Sequence, residues 1–159
     1  MWRMAAITAI GIAGVMSVAV PVTAQSAAVR DKLAKAKSVK CDFPSMSTVE
    51  WDKATGRVDA TLKPSTLTMR FDQIDTDQGT ARVIGQFGPS EIIVRNSGGT
   101  LHLLQSFNEG PLYATTVFPD VIADGRYKAV HTRHEFTQVS LPGFTSRPEQ
   151  YYGACAVDQ

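Results

Sequence analysis

From Thr80 to Phe136 the chain repeats one pattern: short stretches in which polar and apolar residues alternate, cut by Gly, Pro, Asn and Asp. In Thr100–Phe107, Leu101, Leu103 and Phe107 share one side with the polar Gln105, and His102, Leu104 and Ser106 take the other. In Leu112–Phe118, Leu112, Ala114, Thr116 and Phe118 oppose Tyr113, Thr115 and Val117. A period of two, carried by β-branched and aromatic residues, marks strands with two different faces. Asn108-Glu109-Gly110-Pro111 lies between these two strands, where Asn and Gly tolerate positive φ and Pro withholds a ladder donor. Strands in sequence joined by such short connections pair antiparallel, so this region is expected to be a meander.

The same reading extends to both sides. Thr48–Lys53 and Arg57–Leu62 form an expected hairpin about Ala54-Thr55-Gly56, with Lys63-Pro64-Ser65 interrupting its second arm. Leu67, Met69 and Phe71 alternate with Thr68, Arg70 and Asp72, and Asp75–Gly79 reads as a turn. Thr80–Gly85 and Glu91–Asn96 follow, split by Gly88-Pro89; Arg126–Phe136 and Gln150–Val157 complete the set. Turn signals at intervals of roughly 8–12 residues with no helical pattern between them predict an all-β fold. The expectation is an antiparallel meander of about eight strands that closes as a lipocalin-like barrel in preference to a sandwich.

The first 24 residues read as a secretory signal peptide: Arg3 supplies the positive start, Ala5–Val20 is apolar, and Pro21 precedes the small-residue site Val22-Thr23-Ala24. The apolar run is short for a bilayer span, so no stable membrane span is expected after cleavage, and the compartment is periplasmic or extracellular. Cleavage after Ala24 leaves 135 of the 159 residues, enough for one domain with a real core. Residues 25–40 are expected to be a short basic arm, helical or disordered, and residues 41–159 a single β domain. The arm carries Arg30, Lys32, Lys35, Lys37 and Lys40 against Asp31 alone, and its solvated, partly disordered form is the favoured expectation. With Arg3 removed, basic and acidic residues balance at fifteen each, which gives no electrostatic case for nucleic acid.

Two cysteines, Cys41 and Cys155, form an even pair in an oxidising compartment and are expected to be disulfide-bonded. The other chemistries find little. Asp72, Asp75 and Asp77 lack the spacing of a calcium loop, no GxSxG presents a nucleophile, and no glycine-rich loop opens a helix. Neither a metal nor a cofactor is expected. The densest polar cluster is His131-Thr132-Arg133-His134-Glu135. On a strand His131, Arg133 and Glu135 point one way and Thr132 and His134 the other, so the histidines cannot share a metal without a bulge. The expectation is an Arg–Glu pair on a wet face, with His134 watched for its proximity to Thr132 and Phe136. A polar or ligand site is drawn from His134, Arg133, His131 and His102.

Thr115-Thr116-Val117-Phe118, then Arg133-His134, then Gln150-Tyr151-Tyr152-Gly153 and Cys155 form a pattern. It resembles small exported bacterial proteins that end in a similar Arg-His … Gln-Tyr-x-Gly-x-Cys segment. The resemblance implies that Arg133, His134 and the Tyr152–Cys155 corner belong together, and it carries no activity. Aromatics recur in nearly every strand, while Thr116, Ala114 and Gln105 are small or polar positions expected to line an interior with room in it. The first functional expectation is a non-catalytic exported protein holding a small apolar ligand. The second is an interaction protein docking an envelope partner through a sheet edge or the basic arm. A hydrolase using His134 with a carboxylate ranks third.

Overall fold

A computed structural model describes residues 22–85, 88–108, 110–135 and 147–159. A helix, α1 (Val22–Ala34), precedes eight strands. They are β1 (Ser38–Trp51), β2 (Val58–Asp75), β3 (Thr80–Gly85), β4 (Gly88–Ser97), β5 (Thr100–Ser106), β6 (Leu112–Val121), β7 (Tyr127–His134) and β8 (Glu149–Asp158). Each strand pairs antiparallel with the next, and β1 pairs with β8, so the meander closes into a barrel. Residues 1–21, which hold most of the expected leader, Gln86, Phe87, Glu109 and residues 136–146 lie outside the described residues. Among the described residues no helix is long and apolar enough to cross a membrane.

Closure is stapled. Cys41 and Cys155 stand opposite each other across the β1–β8 seam, with Cα atoms 4.0 Å apart, and form a disulfide buried in the interior. Next to it the seam carries a bulge: Phe43 and Pro44 of β1 face the single residue Gly153 of β8. Pro44 sits where the ladder asks for no donor. Gly153 is required by space, since a Cβ there would lie 2.0 Å from the Asp42 carbonyl oxygen. A second bulge, at Gln73 in a left-handed conformation (φ 50°), turns Ile74 into the core. The expected break at Lys63-Pro64-Ser65 is also a bulge. β2 runs through it, with Pro64 opposite Ser45 and Leu67 opposite Phe43.

The basic arm differs from its expectation. Lys37 and Lys40 disguise the start of a strand, and the barrel begins at Ser38, three residues before the expected domain start at Cys41. The segment before it is docked: Leu33 and Ala36 are buried in the core and Val29 packs against it. The Tyr127 hydroxyl donates to the Val29 carbonyl at 3.0 Å. The reason is tertiary. One large apolar side chain and small alanines make a weak stripe in isolation, but at the barrel end they cover Leu101, Val117 and Tyr127. Arg30, Lys32 and Lys35 stay exposed.

The interior changes character along the barrel axis. Near α1 the core is apolar, built from Val39, Phe71, Ile74, Val94, Leu101, Leu103, Val117 and Val157. Toward the distal end, where β5 and β7 finish and β6 and β8 begin, the inward side chains become polar and aromatic.

Candidate functional site

Register places the distal residues in two rungs. Leu103, Thr115, His131, Tyr151 and Met46 follow one another across β5, β6, β7, β8 and β1. One rung further out come Gln105, Tyr113, Arg133, Glu149 and Thr48. Alternation along each strand turns these side chains inward.

His131, Arg133 and Glu135 therefore do not occupy a wet face. His131 is 1% exposed and Glu135 3% exposed. Charge on an alternating strand does not say which side is inside; the barrel's neighbours decide it. Arg133 lies between two aromatic rings, its guanidinium carbon 5.2 Å from the centroids of both Tyr113 and Tyr151. Its Nε–H donates to His131 Nε2 at 3.4 Å. An acceptor at Nε2 requires the neutral imidazole with its proton on Nδ1, which then donates to Thr115 Oγ1 at 2.9 Å. Burial, reinforced by the Arg133 charge, holds the His131 pKa down to about 3. This histidine is a fixed neutral strut beneath the arginine.

The two tyrosines hold carboxylates instead of releasing them to Arg133. Tyr113 Oη donates to Glu135 Oε2 at 2.7 Å, and Tyr151 Oη donates to Glu149 Oε2. Burial, followed by the hydrogen bond to Glu135, raises the Tyr113 pKa; burial and then Glu149 push that of Tyr151 up to about 12. Among the described residues no carboxylate lies within ion-pair distance of Arg133, although Glu149 is its register partner on β8. Thr48, beyond Glu149 in the same rung, is 4% exposed, and its hydroxyl has no hydrogen-bond partner among the described residues.

Space adjoins this cluster at the edge of β2. β3 pairs β2 only from Arg70 onward, so Val58–Met69 has β1 on one side and no strand on the other among the described residues. There a recess of about 650 Å³ is lined by Met46, Pro64, Ser65, Thr66, Leu67, Thr68 and Tyr151. It joins β1, β2 and β8 and is of mixed polarity, not a continuous apolar cavity. A groove of about 590 Å³ at the Phe43–Pro44 bulge is bounded by Asp42, Ile122 and Arg126. An ion pair, Arg126 to Asp42 at 3.4 Å, lies on its wall, and the groove shares Ser65, Thr66, Leu67 and Thr68 with the recess.

The candidates named from the sequence separate. Arg133 and His131 come together inside. His134 is exposed outside, and His102 lies on the outer face, hydrogen-bonded to Thr116 at 3.2 Å. Ala114 and Thr116, expected to line the interior, also face outward, because Tyr113, Thr115 and Val117 take the inner side of β6. On β8 the residues opposite Arg133, Val130 and Tyr127 are Glu149, Tyr152 and Cys155. Sequence reasoning missed Tyr113, Tyr151, Glu149 and Thr48. Their only signal was shared strand parity, which becomes a site once register is known. Among the described residues no group of three or more His, Cys, Asp or Glu side chains is arranged to hold a metal ion. No protein-family description, no curated protein and no solved structure matches this chain.

Proposed function

We propose that this is an exported, non-catalytic binding protein that takes one small molecule at the distal end of its barrel. The observation that carries the reading is Arg133, a cation on the inner wall, close to two tyrosine rings and with no carboxylate partner among the described residues, next to a recess lined by Met46, Leu67 and Tyr151. Binding sites of this kind combine an apolar wall with a few oriented polar groups. The fixed neutral His131 supports recognition better than proton transfer, since its basic nitrogen already accepts from Arg133. Export is supported by the Cys41–Cys155 disulfide and by the leader-like first 24 residues. The test is a fluorescence titration with the neutral dye Nile red. Saturable uptake that Leu67→Glu abolishes supports the proposal; absence of uptake by the folded wild type contradicts it.

A second reading has its own observation. Val58–Met69 has one side unpaired among the described residues, with Val58 and Leu62 exposed, and offers a sheet edge onto which an envelope protein adds a strand. Loss of partner capture when Leu62 is replaced by Pro would favour it.

A further inference from the structure

We infer that the molecule held at the distal end is amphoteric: an apolar body ending in an anionic group and a protonated amine a few bonds apart. This rests on the binding reading above and names its ligand class.

Three observations lead to it. First, the Arg133 guanidinium is committed everywhere except at its outer N–H groups. Its carbon lies over the rings of both Tyr113 and Tyr151, and its Nε–H goes to His131. Terminal N–H groups held in one plane are shaped for a carboxylate, which accepts two parallel hydrogen bonds. Second, Glu149 faces Arg133 across the β7–β8 ladder yet bonds to Tyr151 instead, so a carboxylate and a guanidinium stand side by side without neutralising each other. Third, Thr48 brings to the same rung a buried hydroxyl without a partner among the described residues. A buried polar group is ordinarily satisfied, so an unpaired one beside a recess points to a ligand atom.

Electrostatics then selects the head group. Arg133, Glu135 and Glu149 together carry one positive and two negative charges. A simple anion would meet Arg133 but add a third negative charge between partly desolvated carboxylates. A simple cation would meet Glu149 but lie against the guanidinium. A head bearing both charges sets its carboxylate on Arg133 and its ammonium on Glu149, with Thr48 as a further partner, and leaves the local charge unchanged. Met46, Leu67 and the Tyr151 ring receive the apolar part.

The experiment uses the whole folded protein and calorimetric titration with leucine, phenylalanine and tryptophan. Each is compared with its N-acetyl derivative, which keeps only the anion, and its methyl ester, which keeps only the cation. The expected result is that at least one parent amino acid binds ten-fold or more tighter than both derivatives. Arg133→Gln should erase its advantage over the ester, and Glu149→Gln its advantage over the N-acetyl form, with cooperative unfolding checked for each variant. Thr48→Val supplies a readout independent of charge: it raises the urea midpoint of the free protein and weakens binding of the parent amino acid. A merely structural Thr48 would change the midpoint alone, which counts against the inference. Uptake of Nile red with no preference among the three forms, or preference for a singly charged one, overturns the amphoteric assignment and leaves the binding reading standing. Failure of Nile red and of all the amino-acid forms overturns both.

Discussion

Arg133 and Glu149 are register partners on adjacent strands, yet they do not form an ion pair: the guanidinium lies over the Tyr113 and Tyr151 rings, and the carboxylate accepts from the Tyr151 hydroxyl. Opposite charges facing each other across a ladder normally meet. Here the Tyr151 hydroxyl takes the carboxylate, and the two charges stay unpaired with each other.

The strut beneath Arg133 makes stability depend on pH. His131 titrates near 3 when folded and near 6.5 when unfolded, so between those values the unfolded chain binds the extra proton. Stability is therefore full above pH 6.5 and falls on acidification, by up to about 1.4 kcal/mol per pH unit from this group. Urea midpoints measured from pH 7.5 to 5 should decline, and His131→Gln should flatten that part of the profile. An unchanged slope in the variant would remove His131 from the account.

The tyrosines give the opposite limb. Tyr151 titrates near 12 and Tyr113 is raised as well, in both cases chiefly through burial. An unfolded tyrosine ionises near 10, so folding stability falls as pH rises above that value. Ultraviolet titration should show part of the tyrosine absorbance change delayed to beyond pH 12. Glu149→Gln should bring the Tyr151 share earlier.

The seam bond should matter more than its single covalent link suggests. Cys41 and Cys155 are 114 residues apart, and a loop of that length corresponds to about 4–5 kcal/mol of restricted unfolded chain. The double replacement of both cysteines by Ala should lower unfolding stability by an amount of that order in denaturant titration, with the same β-rich circular dichroism where it still folds.

Gly153 should tolerate no side chain. With a Cβ directed at the Asp42 carbonyl from 2.0 Å, Gly153→Ala must push β1 from β8 or shift the bulge, a cost of roughly 1–3 kcal/mol typical of overpacking. Thermal denaturation of the variant measures it. The docked helix has a parallel test: Leu33→Ala should cost about 2–5 kcal/mol, whereas a solvated arm would show none.

The strands were legible in the sequence because alternation is a local property. Leu101 and Leu103, or Thr115 and Val117, announce their common side without help from the rest of the chain. Which side is inside is not local. On β6 the bulky Leu112 and Phe118 face outward while Tyr113 and Thr115 face in, and only the strands on either side explain it. The charged stretch around Arg133 misleads for the same reason, since a polar rung belongs inside this barrel. The cysteine pairing was readable from the count and the expected compartment. The docking of Leu33 was not, because its partners lie on strands far along the chain. The site itself is a property of register: Tyr113, Arg133, Glu149 and Thr48 come from four separate strands and share no motif.

The most direct test of a small molecule at the distal end is native mass spectrometry of the protein purified from the cells that make it, set against the mass of the same sample denatured. The account predicts a native mass exceeding the denatured one by a single small molecule, lost when Arg133 is replaced by Gln. A bare native chain, from protein that also takes up no Nile red, would contradict it.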